Sequence, residues 1–213
     1  MKTETTLTAL TERLATMARA PSRSLIALAG PPGAGKSHIA EALMTALDKQ
    51  VPGQAAILPL DGYHFDDTLL DARGHRLRKG APFTFDVDGF AVMLDRLGAD
   101  DGRDIVVPVF DRSIEIARAG ARVIPPSVRL IIVEGNYLLL DDPAWTILDR
   151  HFALTIFIDV PETVLRQRLT SRWTDLDPAE AERKLEANDF PNMRLVLAQS
   201  RAADLYLPNG GGA

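Results

Sequence analysis

Residues 24–48 constrain this chain more than any other stretch. They read SLIALAGPPGAGKSHIAEALMTALD. The apolar run at 25–29 has the length and composition of a buried strand, and Ile39, Leu43 and Leu47 follow at helical spacing. Between them Gly30, Pro31, Pro32, Gly33, Ala34, Gly35, Lys36 and Ser37 fit the pattern G-x-x-x-x-G-K-[ST]. Strand, glycine-rich loop and helix in that order make a phosphate cradle. Small residues let backbone N–H groups turn inward on phosphate oxygens, and the helix N-terminus adds partial positive charge. Lys36 is expected to reach the outer phosphates and the Ser37 hydroxyl to ligate Mg²⁺, with His38 beside them on the first helical turn. The bare pattern arises by chance in about 1% of chains this long, and the flanking elements lower that further. A bound nucleoside triphosphate is the expectation.

A length of 213 residues leaves room for one α/β domain with a full core. A net charge of −5 offers no basic excess to displace counterions, which argues against a nucleic-acid partner. The lack of cysteine excludes disulfides and thiolate metal sites and fits a reducing compartment. No apolar window approaches the roughly 18 residues of a membrane span, and the first residues lack a signal-peptide pattern. A soluble cytoplasmic chain with no membrane partner is expected.

Leu7, Leu10, Leu14 and Met17 share one face of a helix over 4–19 that should cover a sheet. Further strands read at 55–60, 104–110, 129–133 and 154–158. With the first they predict a five-stranded parallel sheet, because near-continuous Ile, Val and Leu runs need cover on both faces. Alternation over 114–124 around Ala119 and Gly120 predicts a hairpin. Phe90, Leu94 and Leu97 mark a helix stopped at Gly98. Pro161 opens a helix carrying Arg166, Arg168 and Arg172, another runs from 178 to about 187, and Pro191 opens the last. The tail at 208–213 reads as loose. Ligands of such sheets lie beyond the carboxyl ends of the strands. Acids stand there at Asp61, Asp111, Glu134 and Asp159, the last accounted for by capping the helix after it.

Taken in order, GPPGAGKS, DGYH at 61–64, RKGAPFTFD at 78–86, VPVFDR at 107–112 and EGNYLLL at 134–140 resemble the phosphoribulokinase, uridine kinase and pantothenate kinase family. The likeness is greatest to bacterial members labelled fructose transport system kinase or nucleoside/nucleotide kinase family protein, and it covers roughly residues 20–200. It implies a P-loop NTPase three-layer fold with a small hairpin and lid insertion. It also implies ATP- and Mg²⁺-dependent transfer to a hydroxyl of a small polar metabolite. On that resemblance Asp61 receives the hydroxyl proton and Glu134 holds Mg²⁺ alongside Ser37 near the acceptor. Asp86, His64 and Arg112 fall on the substrate side. Arg168 and Arg172 lie four apart and so share a helical face. They are expected to close over the triphosphate from a lid at about 166–178, with Arg166 off that face.

Residues 62–103 are expected to cover the acceptor, within a single kinase domain over 1–213. A sugar or nucleoside-like acceptor is preferred, with a pantothenate-like acid behind it. Two features depart from the family. Residues 174–181 are short and acidic for a lid, and basic residues cluster instead at Arg73, Arg76, Arg78 and Lys79. Facing the site, that cluster would imply an acidic acceptor; as solvated surface it implies nothing. The rival is a nucleotide-dependent switch or transport-accessory ATPase, although the chain holds no Asn-Lys-x-Asp guanine motif. The oligomeric state stays open, a homodimer included.

Overall fold

The computed structural model describes residues 2–211. Its first half contains α1 (Leu7–Ala18), β1 (Ser24–Ala29), α2 (Lys36–Asp48), β2 (Ala55–Pro59), α3 (Asp67–Ala72), α4 (Val87–Ala99) and β3 (Ile105–Asp111). Then follow β4 (Ile116–Ile124), β5 (Leu130–Gly135), α5 (Pro143–Thr146), β6 (Phe152–Asp159), α6 (Glu162–Ser171), α7 (Pro178–Lys184), α8 (Phe190–Gln199) and β7 (Leu205–Pro208). The main sheet has five parallel strands in the order β2-β5-β1-β6-β7.

The central strands are apolar throughout because both faces are covered. Ile26 and Leu28 of β1 join Leu130 and Ile132 of β5 beneath Leu10, Leu14, Leu43, Leu165 and Met193. Leu25, Ala27, Ala29, Ile131 and Val133 point the other way, against Phe90, Leu94, Tyr137 and Trp145. A strand alternates its side chains with period two, so each strand feeds two cores at once. Helices thus lie on both sides of the sheet, as expected. No helix among the described residues is long and apolar enough to cross a membrane.

Six expectations change. The stretch read as a third parallel strand, β3, leaves the sheet and pairs antiparallel with β4 in a separate two-stranded ribbon. Val106 and Val123 stand opposite each other there with 42% and 52% of their surface exposed, while Ile105 and Val107 are buried, so the apolar run is covered on one face only. The ribbon turns after Asp111, where Glu115 takes φ 56°, and not at Ala119 and Gly120, which lie opposite the break in register between Val107 and Val109. The fifth parallel strand is β7, whose four residues are too few to stand out as an apolar run.

The tail that follows it docks: the Asn209 N–H donates to the Asp159 carbonyl at 2.9 Å, and its side-chain amide donates to the Ala34 carbonyl at 2.8 Å. Residues 212 and 213 of that tail lie outside the described residues. Gly98 falls inside α4, which ends instead at Asp100 in the left-handed region, φ 44°. Asp159 does not cap α6, where Pro161 is the N-cap; its carboxylate takes the Lys2 ammonium at 2.8 Å.

Candidate active site

The loop at 30–37 lies at the carboxyl end of β1 and runs directly into α2. Gly35, the N-cap of α2, holds φ 84°, and a Cβ there would stand 2.9 Å from the Asn209 amide nitrogen. Glycine meets both demands. Because Gly35 offers no capping side chain, the first amides of α2 have no side-chain partner and face a site suited to phosphate.

The Lys36 ammonium donates to the Pro31 carbonyl at 3.1 Å and to Asn136 Oδ1. Burial lowers its pKa to about 8, against the opposing pull of Glu134 and Asp61. The Ser37 hydroxyl donates to Glu134 Oε1 at 3.2 Å. Burial pushes the Glu134 carboxyl up, and Lys36 opposes it. Two hard oxygens beside a phosphate cradle suit Mg²⁺, which takes its other positions from water and phosphate. No group of three or more His, Cys, Asp or Glu side chains able to hold a metal occurs among the described residues.

Asp61 sits in the single 3₁₀ turn that follows β2 (Leu60–Tyr63). Gly62 in that turn lets β3 come close, since a Cβ there would lie 2.8 Å from the Pro108 carbonyl oxygen. Arg112, just past β3, donates to Asp61 Oδ2 at 2.8 Å, not to its neighbour Asp111, which pairs with Arg118. The His64 Nδ1–H donates to the Asp61 carbonyl at 2.8 Å, and its ring lies 4.0 Å from that of Phe85 and 4.9 Å from that of Phe110. Burial among those rings lowers the His64 pKa.

One cleft of about 620 Å³ is lined by Pro32, Gly33, Gly35, Lys36, Ser37, His38, Asp61, His64, Arg112, Glu134, Arg168 and Arg172. Arg168 also grips the backbone, donating to the carbonyls of Gly33 and Asn209 at 3.3 and 2.9 Å, while the Arg172 guanidinium makes no hydrogen bond or ion pair among the described residues. Arg166 lies off the cleft, over the Phe190 ring. Asp86 lies elsewhere: it caps α4 by accepting from the Gly89 N–H at 2.9 Å and lines a separate hollow of about 440 Å³. The basic cluster divides. Arg76 and Lys79 line the cleft, Arg73 stacks on Phe65, and Arg78 faces the second hollow.

Asn136, Trp173, Asn188, Asp189 and Asn192 also line the cleft and were not among the residues the sequence singled out. Asn136 lay within the EGNY motif, whereas the others carried no signal beyond Asn188 and Asn192 being four apart. Tyr137 ties the wall together, its hydroxyl donating to the Gly80 carbonyl at 2.6 Å. Tyr137→Phe is expected to cost about 0.5–1.5 kcal/mol, seen as a lower urea midpoint at unchanged m value.

Parallel sheet, phosphate loop and convergent acids define a P-loop kinase. No protein-family model matches the chain. It is 39% identical over 190 residues to YggC of Escherichia coli, a protein named as uncharacterised, covering 87% of this chain and 77% of that one. It is 30% identical over 194 residues to a Schizosaccharomyces pombe protein named as a candidate uridine kinase, covering 87% and 83%. The crystal structure of a candidate fructose transport system kinase from Silicibacter sp. TM1040 superposes with a TM-score of 0.86 at 40% identity, over 95% of this chain and 98% of that one. The chain belongs to the phosphoribulokinase, uridine kinase and pantothenate kinase family of P-loop kinases, and it is an ATP-dependent kinase of a small molecule.

Proposed function

We propose that the protein transfers the γ-phosphoryl group of ATP, in the presence of Mg²⁺, to a hydroxyl of a sugar or nucleoside-like metabolite, and that Asp61 takes the proton. The observation that carries this reading is that Asp61 and Glu134 line the same cleft as the phosphate loop with its Lys36 and Ser37. In the proposed mechanism the loop amides and Lys36 hold the β- and γ-phosphates. Ser37 and Glu134 would hold Mg²⁺, which neutralises charge on the phosphates when bound. Asp61, held by Arg112, orients the acceptor hydroxyl in line and accepts its proton as the new bond forms.

Arg172 faces the developing charge from the lid segment at about 166–178. Arg168 keeps that segment against the loop through Gly33 and Asn209. Residues 62–103, which contribute His64, Arg76 and Lys79 to the cleft, would cover the acceptor. A cytoplasmic setting suits the cysteine-free composition and belongs to the same proposal.

A thermal-shift screen of sugars, nucleosides and small acids, with Mg²⁺ and a non-hydrolysable ATP analogue, tests it. A ligand at 100 times its Kd adds about 2.7 kcal/mol, which at about 2–4 °C per kcal/mol is a readable rise in Tm. Silence from every compound would favour a nucleotide switch.

A further inference from the structure

Across the cleft from the phosphate loop, the wall is formed where a helix changes its winding. α7 continues through a π-helical turn, Leu185–Asp189, into α8, and the Phe190 N–H reaches the Leu185 carbonyl five residues back. Pro191 accounts for the extra residue. It has no N–H for the carbonyl of Ala187 four residues earlier, and its ring would strike that carbonyl in an ordinary α-helix. Such widened turns are found frequently at functional sites. This one sets Asn188, Asp189 and Asn192 together on the cleft wall.

The hydrogen bonds decide which atoms are on offer. Asn188 Nδ2 donates to the Lys79 carbonyl at 2.7 Å, so its amide can stand only one way round. Asn188 Oδ1 then accepts from Asn192 Nδ2 at 3.0 Å, which fixes the second amide in turn. What remains is Asn192 Oδ1, a buried acceptor without a partner among the described residues, on a side chain 3% exposed. Beside it Asp189 Oδ2 takes the Trp173 indole N–H at 2.7 Å, and Asp189 Oδ1 takes no hydrogen bond among the described residues. Both are oxygens that can accept from a donor, and Asn192 Oδ1 is the buried one.

The cations on the acceptor side are already engaged, and Arg172, whose guanidinium has no partner among the described residues, is given to the transferred phosphoryl group in the proposed mechanism. Lys79 is held by Asp67 and the Glu115 carbonyl, Arg76 by Asp67, and Arg112 by Asp61. Lys184 lies over the Trp173 ring, 4.7 Å from its centre, and Arg183 is solvent-exposed. An acidic acceptor would need a desolvated cation to spare, whereas a hydroxyl compound meets the orphan oxygens directly. On the reading that this cleft transfers a phosphoryl group, we infer that the acceptor is an uncharged polyhydroxy compound. Its spare hydroxyls donate to Asn192 Oδ1 and Asp189.

The test measures ATP turnover by the wild-type protein with aldoses, ketoses, polyols and nucleosides, set against glycerate, pantothenate and sugar phosphates. Turnover is expected with the uncharged set alone, and its members then separate free sugars from nucleosides. In a series of deoxy analogues of the best acceptor, one loss of hydroxyl should raise KM by about tenfold or more. Asn192→Leu should raise the acceptor KM similarly, cancel the effect of that deoxygenation, and leave the ATP KM unchanged, with a lower Tm because Asn188 Oδ1 loses its donor. Turnover confined to acids or phosphates overturns the inference and leaves phosphoryl transfer standing. So does an unchanged acceptor KM in Asn192→Leu, which would mean that Asn192 Oδ1 takes no hydroxyl of the acceptor. If that variant does not fold, a flat deoxy series in the wild-type protein overturns it alone. No acceptor-dependent ADP release from any compound overturns both readings.

Discussion

Asp61→Asn is expected to lower kcat by about 10²–10⁴ while the KM for ATP stays close to that of the wild type. The amide keeps the shape of the side chain and can still orient a hydroxyl, but it cannot take its proton. Asp61 stands on the turn after β2, and its carboxylate bonds to Arg112 and to no residue of the phosphate loop, so the grip on the nucleotide should change little. Arg112→Gln is the control. It removes the ion pair at 2.8 Å yet leaves the carboxylate, and should fall between the two. A full-rate Asp61→Asn protein with intact binding would remove Asp61 from the mechanism.

Lys36→Met should reduce kcat by about 10²–10³, the usual consequence of deleting one preorganised donor to developing charge, and should also weaken ATP binding. A pH profile adds a signature that a packing defect would not share. The Lys36 ammonium, lowered to about 8 by burial, is charged below that pH and neutral above it in the free protein. The kcat/KM for ATP should therefore hold on the acid side and fall as pH rises through about 8. The limb in kcat should lie higher, because bound phosphates favour the charged lysine. Lys36→Arg, whose guanidinium stays charged, should lose the limb whatever its rate. A wild-type profile flat well above pH 8 would contradict this assignment.

The donor half of the site was legible because its chemistry depends on consecutive residues. Small residues at 30–35 and Lys36 and Ser37 after them are required by the backbone itself, and β1 and α2 announce themselves by period. The acceptor half was legible only where a family motif marked it. Asp61, His64 and Arg112 line the cleft, whereas Asp86 is occupied as a helix cap. Asn188 and Asn192 could not be weighted, since nothing local says that a helix will widen at Pro191 and turn two amides inward.

The fold was misread where local pattern and tertiary setting diverge. β3 carries a strand's residues into a half-exposed ribbon, and β7 is too short to be seen without its partner β6. The basic cluster shows the same limit from the other direction. Its four residues look alike in sequence, but two of them share the one carboxylate of Asp67 at the cleft and the other two face away.

Phosphoryl transfer is tested most directly by ADP release from wild-type protein with ATP and Mg²⁺, with and without an acceptor from the uncharged polyhydroxy set. The phosphate is followed by mass spectrometry. The expected result is little ADP from ATP alone, a steep rise on adding the acceptor, and one phosphate on the acceptor for each ADP formed. Equal slow ADP release with and without every small molecule, with the phosphate recovered as inorganic phosphate, would contradict the account and identify a hydrolytic switch.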